Sequence, residues 1–327
     1  MSVKHFHHVT LAVPDVEAQK TFYEDFGLIG KSDGDRAVLR CKGRDQDQVI
    51  VVPGRKMGLH HLSFGTTHKG LAEIEKRAQR RSDVVIEREP SHATCNGLWL
   101  RHQFDGMLYN VNVSRPAVGL GGPKPSKKAA PYPLNTPGDY RRVNKKGGAP
   151  FDLKVFPSRL GHMAHFTTDI DRKIEFYTRV LGLKLTDRSG DIVAFLRVAG
   201  GSDHHVVAVI KDTRPGFHHV SFEVNNVDQM GIAGQRMIHH GYRNGWGIGR
   251  HALGSNFFWY IRDPHNALAE YFFDIDYIAD DDKWRARDWP LEVSFFLWGP
   301  PPPADFGKNF EGSLKTKLPK PQSLART

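Results

Sequence analysis

Two stretches of the chain, residues 7–28 (HHVTLAVPDVEAQKTFYEDFGL) and residues 161–183 (GHMAHFTTDIDRKIEFYTRVLGL), share one pattern. In both, a histidine (His8 or His162) stands fourteen residues before a Phe-Tyr pair. A second match follows, because GLHHLSF at 58–64 corresponds to GFHHVSF at 216–222. Self-similarity at a nearly constant offset indicates a duplicated structural unit. The chain of 327 residues therefore consists of two related halves.

Each half has the pattern of two strand-helix-strand units. Alternating apolar residues predict a strand at the start of each quoted stretch, and a helical period follows until Phe-Gly-Leu or Leu-Gly-Leu. A further helix is predicted after each His-His doublet, at 68–79 and 227–237. Segments rich in β-branched and apolar residues, such as 36–43 and 191–210, predict the remaining strands. The predicted fold class is α+β.

The net charge of +10 is concentrated in two segments. Residues 114–159 hold ten Lys or Arg against two Asp, and residues 301–327 hold five against one Asp and one Glu. Both segments are rich in Pro and Gly, which is typical of linkers and tails. We therefore predict an N-terminal domain at 1–113, a linker at 114–159, a C-terminal domain at 160–299 and a flexible tail at 300–327. Because few aromatic residues lie among these charges, no nucleic-acid partner is expected.

The location of the protein is predicted from two simple observations. Cys41 and Cys95, the two cysteines, lie far apart and form no CxxC pair, which is typical of a reducing compartment. No apolar run is long enough to span a bilayer, and the N-terminus lacks the pattern of a signal peptide. We expect a cytoplasmic protein without a membrane partner.

Three polar residues on predicted strands form a candidate metal site. A single buried His or Glu is more often a satisfied core residue, but a buried carboxylate is costly unless cations or donors surround it. Two imidazoles and one carboxylate, here His162, His219 and Glu270, form the set that holds Fe(II) with open coordination positions. The first half keeps His8 and His61 but has Asn110 in place of the glutamate, so its site is predicted to be degenerate.

Residues 249–270 carry a further pattern. Gly249-Arg250-His251 is followed by Tyr260, Asp263-Pro264 and Glu270. This pattern resembles the fingerprint of the type I extradiol ring-cleavage dioxygenases of the vicinal oxygen chelate (glyoxalase-like) superfamily, and the resemblance covers nearly all of residues 1–300. It implies two tandem vicinal-oxygen-chelate domains, each a pair of βαβββ modules that form a cupped mixed sheet. Trp259 and Asn266 depart from the fingerprint, although neither removes a functional group.

The resemblance also implies roles for individual residues. His162, His219 and Glu270 would be the metal ligands, with Fe(II) as the cofactor and Mn(II) as a possible substitute. His205 would be the active-site acid/base, with His204 as the alternative if the strand match slips by one residue. His251 and Tyr260 would contact the substrate. The partners implied are a catecholic substrate and O₂, in a homo-oligomeric enzyme.

Alternative functions remain open at this point. Glyoxalases, thiol transferases and keto-acid dioxygenases of the same superfamily share its metal-binding geometry, but a glyoxalase would need a second carboxylate in place of His162 or His219. A non-catalytic protein that sequesters an aromatic ligand would need no metal. The sequence does not define the catechol: residues 274–299 are predicted to cover the site, and Arg285 or Arg287 could bind a substrate carboxylate.

Overall fold

The computed structural model describes residues 2–116, 135–144 and 153–312. Its first half contains two helices, α1 (Val16–Asp25) and α2 (His68–Ala78). Eight strands accompany them: β1 (His5–Val13), β2 (Ile29–Asp33), β3 (Arg36–Arg40), β4 (Val49–Pro53), β5 (Gly58–Thr66), β6 (Val84–Glu87), β7 (Leu98–His102) and β8 (Leu108–Val113).

The second half repeats this arrangement and adds to it. Its strands are β9 (Arg159–Thr167), β10 (Lys184–Ser189), β11 (Val193–Arg197), β12 (Ser202–Asp203), β13 (Val207–Lys211), β14 (Gly216–Glu223), β15 (Asn244–His251), β16 (Phe257–Arg262), β17 (Leu268–Phe273), β18 (Tyr277–Ile278), β19 (Arg287–Asp288) and β20 (Phe296–Trp298). Its helices are α3 (Ile170–Glu175), α4 (Val227–His239) and α5 (Leu291–Ser294), with a π-helical turn at Phe176–Leu181 and a 3₁₀ turn at Asp281–Lys283.

The two halves form two sheets of the same topology. The first sheet has the order β2-β3-β4-β1-β5-β8-β7-β6. The second has the equivalent order β10-β11-β13-β9-β14-β17-β16-β15, with β19 and β20 added at its two edges. Each sheet consists of two βαβββ modules that meet along an antiparallel pair of strands. The pair is β1 with β5 in the first sheet and β9 with β14 in the second. The predicted α+β fold with two βαβββ modules per half is confirmed.

Each of the four long helical segments begins at a polar residue that caps it. The side chains of Asp15, Thr67, Asp169 and Asn226 accept hydrogen bonds from backbone N–H groups three residues later. Such caps satisfy donors that the first turn leaves free, and each stabilises a helix by about 1 kcal/mol. Among the helices in the described ranges, none combines the length and the apolar character needed to cross a bilayer.

Helices of each half pack against the sheet of the other half. Phe26, at the end of α1, stacks on Tyr271 of β17 with ring centroids 3.7 Å apart. In the opposite direction, the buried Lys173 of α3 contacts Asp105 Oδ2 at 2.6 Å and donates to the hydroxyl of Tyr109 in β8. One apolar core runs through both halves as a result. These exchanged contacts fix the position of the second sheet relative to the first.

The C-terminal segment differs from the predicted flexible tail. Residues 300–312 pack against the second sheet, with Phe306 and Asn309 buried, while residues 313–327 lie outside the described residues. A Cβ on Gly58 would lie 3.0 Å from Glu311 Oε1, and one on Gly216 would lie 2.6 Å from Asn309 Oδ1. Gly58 and Gly216, which occupy equivalent positions in the two repeats, therefore leave room for this segment. Most of the predicted linker, at 117–134 and 145–152, also lies outside the described residues.

Candidate metal centre and substrate pocket

Three adjacent strands of the second sheet bring the predicted ligands together. His162 comes from β9, His219 from β14 and Glu270 from β17, and their ligand atoms all lie within 4.8 Å of one another. Glu270 Oε2 lies 3.0 Å from His162 Nε2 and 3.5 Å from His219 Nε2. All three residues are buried. This is the only group of three such ligands within the ranges that the structure describes.

The chemistry of this group fits a divalent cation. Glu270 is 0% exposed, and no Lys or Arg among the described residues pairs with it. Burial alone would raise its pKa, but the charge and hydrogen bond of His162 outweigh burial and lower the pKa of Glu270 below its usual value. Ser221 and Asn256 donate to the two oxygens. An ionised carboxylate beside two imidazoles is the donor set of a non-haem iron site.

The neighbouring histidine fixes the tautomer of His219. His218 Nε2 donates to the carbonyl of Phe306 at 2.9 Å, and the Nδ1 atoms of His218 and His219 lie 2.6 Å apart. Burial lowers the pKa of His218 to about 4, so its ring is neutral and its Nδ1 can only accept. His219 Nδ1 therefore donates, which leaves a lone pair on His219 Nε2. Within the described chain this buried Nε2 has no hydrogen-bond partner, as expected of a ligand atom.

A second histidine doublet presents His205 to the same pocket. His204 Nε2 donates to Asp187 Oδ2 at 3.1 Å, and the Nδ1 atoms of His204 and His205 lie 3.1 Å apart. With its Nε2 proton directed at Asp187, His204 can accept from His205 at Nδ1, and in that arrangement His205 Nε2 carries the lone pair. The His205 ring lies 4.2 Å from the His162 ring, and His205 lines the pocket. Burial, followed by the neighbouring His162, lowers the pKa of His205 well below its usual value.

The remaining predicted pair forms a hydrogen-bonded unit. His251 Nδ1 donates to the carbonyl of Phe295 at 2.9 Å, so its Nε2 accepts from the hydroxyl of Tyr260 at 2.9 Å. Tyr260 faces Glu270 across the β16–β17 pair. Burial, and then the charge of Glu270, raise the pKa of Tyr260 well above its usual value, so the hydroxyl keeps its proton. All six predicted site residues thus lie around one centre.

An apolar cavity of about 540 Å³ adjoins this centre. The predicted cover over residues 274–299 contributes only its last part, and the chain beyond it contributes the rest. We call residues 290–307 the cap. Its lining residues are Leu291, Glu292, Ser294, Phe295, Phe296, Pro302, Pro303, Phe306 and Gly307. Because carbonyls of Phe295 and Phe306 hold His251 and His218, the cap is joined directly to the polar site.

The equivalent position in the first half contains no carboxylate. His8 Nε2 and His61 Nε2 lie 3.3 Å apart, and the hydroxyl of Thr94 lies 2.7 Å from the first and 3.1 Å from the second. Asn110 Oδ1 accepts from Ser63 and Cys95. The histidines of this half therefore have neutral partners in place of a carboxylate.

His218 supports the site but was not predicted from the sequence. His218 should face away from His219 on a regular strand, but β14 has a register shift between Phe217 and His219, and both histidines line the pocket. The repeated His-His doublets are the signal that could have revealed these pairs. Of the two departures from the fingerprint, Asn266 forms its turn at φ 67°, and Trp259 packs on Gly234 of α4, away from the pocket.

Comparison with known proteins identifies relatives of the chain. Residues 159–271 match the family model of the glyoxalase/bleomycin resistance protein/dioxygenase superfamily. Metapyrocatechase 2 of Cupriavidus necator is 34% identical over 311 residues, covering 93% of this chain and 91% of the relative. A manganese-dependent 2,3-dihydroxybiphenyl 1,2-dioxygenase of Geobacillus genomosp. 3 is 22% identical and covers 90% of this chain and 93% of its own.

Solved structures show the same fold. The crystal structure of BphC, a halotolerant catechol dioxygenase, superposes with a TM-score of 0.72 at 20% identity, over 96% of this chain and 99% of the other. That likeness concerns the fold, whereas the 34% identity extends over nearly the full length of both chains. The protein therefore belongs to the extradiol ring-cleavage dioxygenases of the glyoxalase/bleomycin resistance protein/dioxygenase superfamily.

Proposed function

We propose that the protein opens catechol rings beside the diol with O₂, at a mononuclear Fe(II) held by His162, His219 and Glu270. One observation carries the proposal: a fully buried, ionised carboxylate lies beside two imidazoles at the end of an apolar pocket. Such an arrangement costs free energy in a metal-free chain and is stabilised when a divalent cation binds. His219, whose pKa burial holds well below its usual value, is in the neutral form that a metal ligand requires.

Fe(II) is proposed over Mn(II) because the two-histidine, one-carboxylate set with open positions is typical of non-haem iron oxygenases. Bound Fe(II) would supply the redox chemistry through which triplet O₂ reacts with a singlet catechol. The protein contributes the positions of the reactants and the proton transfers, which are the steps its own residues can perform.

His205 is proposed as the base that takes a proton from a catechol hydroxyl. His205 lines the pocket, and the doublet with His204 and Asp187 leaves the lone pair on its Nε2. The lowered pKa of His205 keeps the imidazole free of a proton until substrate arrives. The same atom can return the proton later in the reaction, as general acid-base catalysis requires.

Tyr260 and His251 are proposed to stabilise negative charge as it develops on the substrate oxygens. The hydroxyl of Tyr260 keeps its proton and is held by His251 Nε2, so the donor is positioned before the reaction begins. His251 is anchored in turn by the Phe295 carbonyl. The phenyl rings of the cap exclude water, which strengthens these polar interactions.

Anaerobic reconstitution tests the proposal. The purified chain is loaded with Fe(II), and in parallel with Mn(II), and is then assayed with catechol and 2,3-dihydroxybiphenyl in air-saturated buffer. We expect a yellow ring-fission product and one O₂ consumed per ring with the Fe(II) form. Faster turnover with Mn(II) at equal loading would reverse the choice of metal.

The same assay separates the alternatives. Stoichiometric metal without turnover of any catechol would indicate another metalloenzyme chemistry of the superfamily. Tight catechol binding with no metal bound would indicate a protein that sequesters aromatic ligands.

A further inference from the structure

The pocket extends beyond the metal centre as an apolar chamber. Its volume of about 540 Å³ is that of a site for a substituted ring rather than for a diol alone. Beyond the histidines, the walls come from the β11 and β13 region and from the cap. Representative lining residues are Ile192, Val193, Ile210, Leu291, Phe295 and Phe306.

Apart from the histidines, a single ionisable acidic or basic side chain lines this chamber in the described part of the chain, and it is acidic. Glu292, in α5 of the cap, is exposed and forms no hydrogen bond or ion pair with any described residue. Its charge is therefore not neutralised by a partner.

The nearby arginines are engaged elsewhere. Arg197 pairs with Asp281 at 2.9 Å, and Arg262 pairs with Asp305 at 2.8 Å. Arg285 donates to the carbonyl of Asp282, and Arg287 lies over the ring of Trp289. None of the four lines the pocket. The sequence-based suggestion that Arg285 or Arg287 binds a substrate carboxylate therefore receives no support from the structure.

An anionic substituent on the substrate would meet two penalties here. It would leave water for an apolar wall without gaining a cation, and a buried unpaired charge is expensive. It would also approach Glu292, which has the same sign of charge. An uncharged apolar substituent would instead gain free energy by burial against the same wall.

We propose that the chain selects catechols with an uncharged, apolar substituent, and that Glu292 is a specificity-determining residue that disfavours anionic catechols. The inference rests on the proposed ring-cleavage function and names its substrate class. Glu292 contacts neither the metal ligands nor His205, so it acts through charge at the pocket wall.

Four substrates of similar shape test this inference: catechol, 4-ethylcatechol, 3,4-dihydroxyphenylacetate and the methyl ester of that acid. We expect kcat/KM for 4-ethylcatechol and for the ester to exceed that for the acid by about 100-fold or more, because the acid leaves a charge unpaired. Similar values for the ester and the acid would overturn the substrate class.

Variants of Glu292 test the residue itself. Glu292→Gln should lower the ratio of kcat/KM for the ester to kcat/KM for the acid about threefold, as expected for an exposed charge. Glu292→Lys should lower this ratio further. The ratio should fall with added salt in the wild type and lose that dependence in Glu292→Gln, which a structural role would not produce. Glu73→Gln, an exposed glutamate on α2, is the matched control. An unchanged ratio in both Glu292 variants would overturn the role.

Failure of this inference can be told apart from failure of the proposed function. Cleavage of all four substrates at similar rates would overturn the selectivity alone. If no catechol is cleaved, the proposed function fails, and anaerobic titration calorimetry with the same four compounds decides the selectivity. Weaker binding of the acid than of the ester would support it, and equal binding would overturn it.

Discussion

The two halves of the molecule share one scaffold and differ at one strand position that decides their chemistry. In the first half Ser63 pairs in register with Asn110, and in the second Ser221 pairs with Glu270. Each serine donates to the side chain beside it. Two histidines from the equivalent strands complete both sites. The scaffold therefore positions three side chains in either half, and only their identity makes one of them a metal centre.

The difference lies in how the buried polar atoms are satisfied. In the first half the hydroxyl of Thr94 lies within hydrogen-bond distance of both histidine Nε2 atoms, and Asn110 accepts from neutral donors. In the second half a carboxylate faces two imidazoles, and His219 Nε2 has no hydrogen-bond partner among the described residues. A site completed by its own side chains needs no ion, whereas the second site gains from one.

Replacing Glu270 by Asn, the residue of the first half, should have the largest effect. The neutral amide is a poor ligand for a divalent cation, so we expect loss of stoichiometric metal and a fall in turnover of more than about 1,000-fold. Metal analysis after anaerobic reconstitution and oxygen uptake measure the two effects. The fold should persist, as judged by circular dichroism.

Asn110→Ala is the matched control for this exchange, because it changes the equivalent position of the first half. It should leave one metal per chain and leave turnover unchanged. Full metal content and activity in Glu270→Asn would contradict the assignment of Glu270.

The histidine doublets provide the next prediction. His205→Gln should retain metal and bind substrate, but it removes the proposed base, so turnover should fall by about 100-fold or more. His204→Gln should cost less, about 10-fold, because His204 only orients His205. His60→Gln changes a doublet of the first half and serves as the control. Undiminished turnover in His205→Gln, with a large loss in His204→Gln, would transfer the role to His204.

Asn110→Glu reverses the comparison by giving the first half a carboxylate. We expect no second metal to bind, because the hydroxyl of Thr94 already lies within hydrogen-bond distance of both histidine Nε2 atoms. The new charge would be buried without a cation and should lower the free energy of unfolding by about 2–4 kcal/mol. Asn110→Gln is the control, because glutamine is neutral and has the same size as glutamate. Urea unfolding of the metal-free chains measures the loss of stability. A second equivalent of bound metal would contradict the prediction and would show that the missing carboxylate alone prevents the first half from binding metal.

The duplication and the candidate ligands His162, His219 and Glu270 could be predicted from strand and helix periodicity and from local spacing, which a single chain displays directly. The βαβββ modules and the places of His205, His251 and Tyr260 were predicted from the resemblance to a known family. The pairing of His218 with Phe306 could not be predicted, because it depends on a strand bulge and on a segment 88 residues away. The part of the cap beyond residue 299 was missed for a related reason. Its Pro and Gly content is typical of a tail, and the apolar wall against which it packs comes from distant strands.

The last prediction concerns a carboxylate, Glu311, that contacts both halves at equivalent positions. The Glu311 side chain accepts hydrogen bonds from the backbone N–H groups of Phe217 in β14 and Leu59 in β5. The backbone carbonyl of Glu311 accepts a hydrogen bond from Arg214. Burial raises its pKa to about 7. The folded state then holds a proton that the unfolded state releases near pH 4.5, so the free energy of unfolding should decrease as the pH rises from about 4.5 to about 7.

Glu311→Gln keeps one acceptor oxygen in place of the carboxyl group but cannot ionise, so it isolates the contribution of the proton. The free energy of unfolding of the variant, relative to that of the wild type, should rise by about 1–2 kcal/mol between pH 4.5 and pH 8. This is less than the full pKa difference would give, because the side chain is partly exposed. Histidines that titrate in the same range are common to both chains and cancel in the difference. Urea unfolding of the metal-free chains at both pH values measures it. A difference that does not change with pH would mean that the pKa of Glu311 is the same in the folded and unfolded chains, and would contradict a protonated contact between the two halves.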